Sequence, residues 1–150
     1  MSVPPTPLAA TMHSSAAIAE ALAAIAFDAN GLVPCIAQQH DSGEILMMAW
    51  MNRDAVEETL RTGRVCYWSR ARQALWRKGE TSGHGQALVD LRIDCDGDTL
   101  LALVDQSGVA CHTGRHNCFF RALRQEQLAE IAPVLVDPAQ MYGEQRTGDG

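Results

Sequence analysis

The sequence predicts one compact α/β domain of the α+β type, in which helices flank a mixed, β-rich sheet. The chain has 150 residues, the length of a single domain, and a chain of this size buries roughly 70% of the surface that its unfolded form exposes. Because 47% of the residues are hydrophobic, a core can form without disulfide bonds. Two segments with helical periodicity stand among several short β-rich runs, and this mixture favours the α+β class.

The first helix is predicted to begin at Ser14 or Ser15, either of which can act as its N-cap. Apolar residues recur at i, i+4 and i+7 from Ile18, which gives the helix a narrow apolar stripe. The alanine-rich segment continues to about Asn30, and Gly31 is typical of a helix end.

The second helix is predicted over residues 53–62, with Asn52 as its N-cap and Gly63 after its end. Acidic residues occupy its first half, where they favour the positive end of the helix dipole. Val56 and Leu60 lie one turn apart and indicate the face that packs on the core.

Five segments read as strands because they are rich in apolar and β-branched residues and are bounded by turn residues. They are LVPCIAQQ, ILMMAWM, RVCYWSR, QALVDLRID and TLLALVDQ. ILMMAWM is predicted to be fully buried, and the last two strands are predicted to form a hairpin or a near-hairpin pair. The basic, glycine-bearing stretch RQALWRKGETSGHG is predicted as a loop.

The domain is expected to span residues 14–124. Residues 1–13 are proline-rich, so we predict a disordered N-terminal extension there. Residues 125–150 read as a C-terminal tail, with a short helical pattern in QEQLAEIA before the weakly structured GEQRTGDG.

Charge and cysteine content limit the partners of the chain. The formal net charge of -6 argues against bulk affinity for nucleic acid or for an anionic membrane. No apolar run is long enough to span a bilayer, and the N-terminus lacks the basic start of a secretory signal, so a cytoplasmic protein is expected. Five cysteines, an odd number clustered with histidine and aspartate, predict reduced thiols and metal ligands.

The segment DCDGDTLLALVDQSGVACHTGRHNC contains two kinds of metal donor. In an extended chain, Asp94, Asp96 and Asp98 would share one face, and crowded carboxylates favour a hard cation such as Mg²⁺. The alternative at these positions is a solvated polar turn around Gly97.

Cys95, Cys111 and Cys118 form the second donor set. Between the aspartates of an extended segment, Cys95 would point to the opposite face, so its companions are expected to be the other two thiols. Three thiolates select a zinc-like ion and leave a fourth tetrahedral position for water, as a catalytic zinc requires. Free thiols are the alternative. Cys35 and Cys66 lie in apolar strands and are interpreted as core residues.

His112 is the candidate general base and acid, because it stands next to a predicted zinc ligand and its ordinary pKa is near neutrality. His116 flanks the same site, and a functional and a surface role remain equally open for it.

The basic loop combines guanidinium, ammonium, hydroxyl and backbone N–H groups that suit a phosphate. Its candidates are Arg70, Arg77, Lys78, Thr81 and Ser82. Trp68 and Trp76 are either stacking platforms for a base or buried aromatic residues.

Three of these stretches, YWSRARQALWRKGETSGH, DLRIDCDGDTLLALVDQ and ACHTGRHNCFF, resemble the phosphoribosyl-AMP cyclohydrolase family of histidine biosynthesis. The resemblance covers roughly residues 31–121. Nothing resembles the pyrophosphohydrolase domain to which this enzyme is fused in some organisms, so the stand-alone form is expected.

The resemblance implies an intertwined homodimer with active sites at the subunit interface. It implies zinc held by three cysteines drawn from both subunits, which match Cys95, Cys111 and Cys118, and magnesium at the three aspartates. The implied substrate, 1-(5-phosphoribosyl)-AMP, is a phosphorylated nucleotide whose N1–C6 bond is opened by a zinc-activated water. His112 would shuttle the proton, while Trp68, the basic loop and His84 would contact the substrate.

Two other functions are compatible with a zinc site. One is a non-catalytic binding module that zinc only stabilises. The other is a nucleobase deaminase, which is disfavoured because its H-x-E…P-C-x-x-C pattern is absent from the sequence.

Overall fold

The computed structural model describes residues 11–142. In this range the helices are α1 (Ser15–Ala24), α2 (Arg53–Thr62) and α3 (Pro138–Tyr142). The strands are β1 (Val33–Gln39), β2 (Ile45–Met51), β3 (Cys66–Ser69), β4 (Ala74–Arg77), β5 (Gln86–Ile93), β6 (Leu100–Gln106), β7 (Arg121–Arg124) and β8 (Gln127–Glu130).

A mixed four-stranded sheet forms the centre of the fold, with the strand order β2-β1-β6-β5. The pairs β1–β2 and β5–β6 are antiparallel, whereas β1 and β6 run parallel. Two further antiparallel hairpins, β3–β4 and β7–β8, complete the described strands. The predicted fold class is therefore confirmed, as is the predicted hairpin that carries the aspartates.

One hydrophobic core joins the sheet to α1 and α2. Ile18 and Leu22 contribute the apolar stripe of α1, and Val56 and Leu60 contribute that of α2. These side chains are buried together with Cys35, Cys66 and the strand residues around them. Burial raises the pKa of both Cys35 and Cys66 to about 12, so these thiols stay protonated at neutral pH, as expected of core residues.

The predicted caps of α2 are confirmed. The side chain of Asn52 accepts a hydrogen bond of 2.8 Å from the N–H of Ala55, and Gly63 adopts the left-handed conformation with φ 73°. The buried Thr59 then connects α2 to β3, because its hydroxyl accepts from the N–H of Cys66 at 2.9 Å. This connection places β3 beside the core.

The first helix is shorter than predicted, because it ends at Ala24 and not near Asn30. The buried Ile25 is extended, with φ -93° and ψ 128°. The N–H of Ala26 donates to the carbonyl of Gly97 at 2.8 Å. The tertiary contact with the β5–β6 turn therefore outweighs the helix propensity of this segment.

The described chain already contacts the domain before the first helix. The N–H of Thr11 donates to the carbonyl of Leu88 at 2.9 Å, and that of His13 donates to Leu60 at 2.8 Å. These hydrogen bonds connect Thr11 to β5 and His13 to α2, and the domain bounds of 14–124 stay a prediction. The remainder of the predicted disordered extension, residues 1–10, lies outside the described residues, as do residues 143–150 of the tail.

Two local predictions for strands and loops are wrong. Strand β2 is not fully buried, since it lies at the sheet edge and leaves Ile45 and Met48 51% and 45% exposed. The stretch predicted as a loop contains β4, which pairs with β3 through Tyr67 and Trp76. The rings of these two residues lie 5.5 Å apart, and cross-strand aromatic pairs of this kind stabilise a hairpin.

The helical pattern in QEQLAEIA is also misleading, because this segment forms the turn and second strand of the β7–β8 hairpin. Gln125 and Glu126 both have positive φ, 52° and 63°, as the two central residues of a type I′ turn do. Leu123 and Leu128 then face each other across the strands. Among residues 11–142, no helix is long and apolar enough to cross a bilayer.

Candidate active site

The three aspartates of the β5–β6 connection converge in one turn. Carboxylate oxygens of Asp94, Asp96 and Asp98 all lie within 4.8 Å of one another. Asp94 accepts from the N–H of Asp98 at 2.9 Å, and Gly97 has φ +78°. The predicted convergence is confirmed, but the extended geometry behind it is wrong, because a tight turn brings the carboxylates together.

The electrostatics of this cluster suit a cation. Hydrogen bonds to the Asp94 and Asp96 carboxylates, together with their charges, raise the pKa of Asp98. All three side chains are exposed. A hard divalent ion would relieve the mutual repulsion, and carboxylate oxygens are the donors that such an ion prefers.

Cys95 lies in the same turn, with its Sγ 4.0 Å from Oδ1 of Asp96. Among the described residues it does not join the three carboxylates in one donor cluster, as expected, although a turn and not an extended segment sets its position. Cys95 is exposed. In the described part of one chain, it does not gather with Cys111 and Cys118 into a three-ligand group.

The other two thiols meet in the loop that follows β6, residues 107–120, here called the cysteine loop. Backbone hydrogen bonds close this loop, from Ala110 to the His116 carbonyl at 3.0 Å and from Cys111 to the Arg115 carbonyl at 3.2 Å. The loop is attached to β2, because the N–H of Cys118 donates to the carbonyl of Leu46 at 2.8 Å. This folding brings the thiols of Cys111 and Cys118 close enough for each to shift the pKa of the other.

The pKa values of the two thiols are shifted in opposite directions. A hydrogen bond from Cys118, assisted by the Thr113 hydroxyl 2.9 Å away, lowers the pKa of Cys111 well below its ordinary value. The same hydrogen bond raises the pKa of Cys118. A thiolate is therefore favoured at Cys111, and thiolate is the form that binds metal.

Lys78 reaches the same loop from the end of β4. Its Nζ donates to the carbonyl of Ala110 at 2.7 Å and lies 5.3 Å from the Trp76 ring centroid. Desolvation lowers the pKa of Lys78, and the charges of the two nearby cysteines oppose that shift. The side chain thus links the cysteine loop to the β3–β4 hairpin.

A cleft of about 720 Å³ opens beside these groups. Of the residues singled out in the sequence, it brings together Trp68, Arg70, Trp76, Lys78, His112 and Cys118. Its other wall is the edge strand β2, which contributes Met47, Met48, Ala49 and Trp50. This wall is not among the site residues predicted from the sequence, although the run of large apolar residues within ILMMAWM is a signal for it.

The remaining predicted substrate contacts lie elsewhere. Arg77 forms a bidentate ion pair with Glu58, in which Nε and Nη2 donate to the two carboxylate oxygens at 2.7 and 2.9 Å. It lines a second cleft of about 520 Å³, which also borders the glycine-bearing turn that carries Thr81 and Ser82. Lys78 lines both clefts, so the two adjoin.

His84 has a structural partner. Its Nδ1 accepts from the N–H of Val109 at 2.8 Å, and its carbonyl accepts from Nε2 of Gln106 at 2.9 Å. Gly108 lies so close to the ring that an added Cβ would clash with it. The imidazole therefore holds the backbone that leads into Cys111.

A cleft lined by a thiol, an imidazole and the side chains of arginine and lysine is typical of an enzyme site for an anionic substrate. The sequence profile of the phosphoribosyl-AMP cyclohydrolase family matches residues 47–120. The chain belongs to this family, and it is accordingly a hydrolase of histidine biosynthesis that acts on a cyclic amidine C–N bond.

Relatives that carry this name extend over most of the chain. The phosphoribosyl-AMP cyclohydrolase of Rhodospirillum centenum is 66% identical over 128 residues, which cover 85% of this chain and 96% of that protein. That of Alkalilimnicola ehrlichii is 65% identical over 121 residues, or 81% of this chain and 85% of the relative. That of Paramagnetospirillum magneticum is 65% identical over 124 residues, or 83% and 94% of the two proteins.

Proposed function

We propose that the chain opens the N1–C6 bond of the adenine ring of 1-(5-phosphoribosyl)-AMP by hydrolysis, with zinc and magnesium as its metals. The observation that carries this proposal is the pairing of Cys111 with Cys118, which lines a cleft together with His112. Membership in the family supplies the substrate class, and the cleft supplies the groups that the reaction needs.

The donor set of this chain fits zinc at the thiols. Two adjacent cysteines, one of them with a lowered pKa, are ligands that zinc prefers. When bound, zinc supplies a Lewis acid that lowers the pKa of water to about 7. Cys95 is the third ligand in this proposal, and Asp94, Asp96 and Asp98 hold magnesium.

His112 is assigned the proton transfer. Water adds to C6, the N1–C6 bond breaks, and C6 becomes the carbon of a carboxamide on the remaining imidazole. His112, exposed at the cleft, accepts the proton of the attacking water and delivers it to N1 as that nitrogen leaves. An imidazole suits both halves of this exchange because its ordinary pKa is near neutrality.

The clefts are assigned to the substrate. Trp68 and Trp76 line the first cleft and offer faces for the adenine ring, and Arg70 lies there with its guanidinium 5.0 Å from the Trp50 ring centroid. The substrate carries two phosphates, and Lys78 borders both clefts. We assign one phosphate to the first cleft with Arg70 and Lys78. The other is assigned to the second cleft, which Arg77 lines and which the turn that carries Thr81, Ser82 and His84 borders.

A second copy of the chain completes the site in this proposal. Cys95 stays apart from Cys111 and Cys118 within the described part of one chain, so a partner subunit is the natural source of the third thiol. Exposed apolar side chains around the β7–β8 hairpin offer a surface for such a partner. They are Phe119, Leu123, Leu128, Ile131, Val134 and Leu135.

The proposal also includes a cytoplasmic location. All five cysteines are free thiols, and two of them are proposed metal ligands that must stay reduced beside each other. A reducing compartment keeps thiols in that state.

Turnover and metal content test the proposal together. The purified protein is expected to carry about one zinc per chain and to convert phosphoribosyl-AMP, followed by the change in ultraviolet absorbance as the ring opens. Full activity is expected to require added Mg²⁺. A protein that keeps zinc and produces no absorbance change would be a zinc-stabilised binding module, and an active protein without zinc would contradict the metal assignment.

Asp96→Asn tests whether the two metal sites are separate. The variant removes one charge from the carboxylate cluster, so the Mg²⁺ concentration for half-maximal activity is expected to rise. Zinc content should remain that of the wild type. Asp90→Asn is the matched control, since Asp90 is exposed on β5 and pairs with Arg92 at 3.0 Å. Loss of zinc from Asp96→Asn would show that the sites are coupled.

A further inference from the structure

Glu44 precedes β2 and binds two side chains of the cysteine loop. One carboxylate oxygen lies 2.6 Å from Nδ1 of His116, and the other accepts from Nδ2 of Asn117 at 2.7 Å. The Glu44 side chain is 31% exposed and that of His116 is 39% exposed. Both oxygens of one carboxylate are thus used by neighbouring residues of the loop.

These contacts adjoin Cys118 directly. Asn117 precedes Cys118, whose own N–H donates to the carbonyl of Leu46, two residues after Glu44. The carbonyl of His116 in turn accepts from the N–H of Ala110, next to Cys111. Residues 116–118 are therefore held against the start of β2 by two hydrogen bonds and by the 2.6 Å contact between His116 and Glu44.

We infer that Glu44 is a positioning residue that holds the Cys118 sulfur beside that of Cys111, in the place where both can bind one metal ion. This inference rests on the proposed function, in which both thiols are zinc ligands. Partners that orient metal ligands control metal affinity, and their removal weakens it by about 10–100-fold. No motif of the sequence assigns a role to Glu44.

Glu44→Gln is the direct test because it keeps the shape and changes the acceptors. The amide has one oxygen in place of two, so Asn117 and His116 can no longer each face a carboxylate oxygen, and the negative charge that strengthens both contacts is lost. Zinc release into an excess of a colorimetric chelator is expected to be about tenfold faster than from the wild type. The melting temperature of the metal-free protein is expected to stay unchanged.

Asp41→Asn is the matched control. Asp41 lies in the same β1–β2 connection, and its carboxylate is 67% exposed and 4.0 Å from His40. Its partners, His40 and Gln39, lie outside the cysteine loop. Zinc release from Asp41→Asn should therefore equal that of the wild type, which separates the position of Glu44 from a general loss of negative charge.

A reciprocal variant tests the hydrogen bonds themselves. When Glu44→Gln is combined with Asn117→Asp, the new carboxylate at position 117 can accept from the amide introduced at position 44. It can still accept from the N–H of Phe119, as Asn117 Oδ1 does at 2.8 Å. Slow zinc release is expected to return. If Glu44→Gln lowers the melting temperature as well, recovery of slow release in the reciprocal variant still supports the inference, and its failure overturns it.

The outcomes also separate this inference from the proposed function. A wild-type protein that binds no zinc would refute the proposed metal site and, with it, the role of Glu44. Zinc release that is equally slow from the wild type and from Glu44→Gln would refute only the positioning role. Zinc release that is equally fast from Glu44→Gln and Asp41→Asn would assign the faster release to the loss of negative charge. That result would also overturn the positioning role of Glu44.

Discussion

Replacing Cys111 by serine is expected to remove zinc and to abolish turnover. The hydroxyl of serine does not ionise near neutral pH, whereas the Cys111 thiol has a pKa that its contact with Cys118 lowers. The variant therefore loses the better of the two adjacent sulfur donors. Elemental analysis after gel filtration and the absorbance assay measure the two losses on one preparation.

Cys35→Ser is the matched control for this prediction. Cys35 is fully buried in β1, and burial raises the pKa of its thiol to about 12. A buried hydroxyl in its place costs about 1–3 kcal/mol of unfolding free energy, which denaturant titration would measure. Zinc content and turnover per folded molecule should stay near those of the wild type. Equal zinc loss from Cys35→Ser and Cys111→Ser would mean that the ligand assignment is wrong.

Elements with local signals were predicted well from the sequence. Asn52 and Gly63 set the ends of α2 through contacts within a few residues, and the β5–β6 hairpin follows from two apolar runs around one turn. The predicted end of α1 is wrong because the N–H of Ala26 donates a hydrogen bond to the carbonyl of Gly97, which lies far along the chain. The β7–β8 hairpin was missed because its turn residues, Gln125 and Glu126, carry no glycine signal for positive φ.

The same difference between local and distant contacts decides which parts of the candidate site can be predicted from the sequence. The carboxylate cluster could be predicted because a few consecutive residues contain all of it, even though the assumed geometry was wrong. The surroundings of the thiols could not, since Glu44 and Leu46 reach Cys118 and its neighbours from a distant strand. Whether Cys95 binds the same metal ion as the other two thiols cannot be predicted from one chain either, because it depends on how two copies associate.

Mixing two inactive variants is expected to restore activity if the zinc site is shared. A Cys95→Ser chain and a Cys118→Ser chain are each expected to be inactive as homodimers, because every site in them lacks a ligand. In the heterodimer, one site combines the intact Cys95 of one chain with the intact Cys111 and Cys118 of the other. The second site contains both substitutions and therefore stays inactive.

The size of the recovery follows from this geometry. Random exchange of equal amounts places half of the dimers in the mixed form, each with one intact site of two, so about a quarter of the wild-type activity should return. Subunit exchange is verified with differently tagged chains, and the control mixes Cys111→Ser with Cys118→Ser, which assemble no intact site in any dimer. If exchange is confirmed and the first mixture stays as inactive as the control, the two chains do not share ligands. Cys95 would then have to reach Cys111 and Cys118 within its own chain, by a movement of the β5–β6 turn away from the position that the Ala26–Gly97 hydrogen bond gives it.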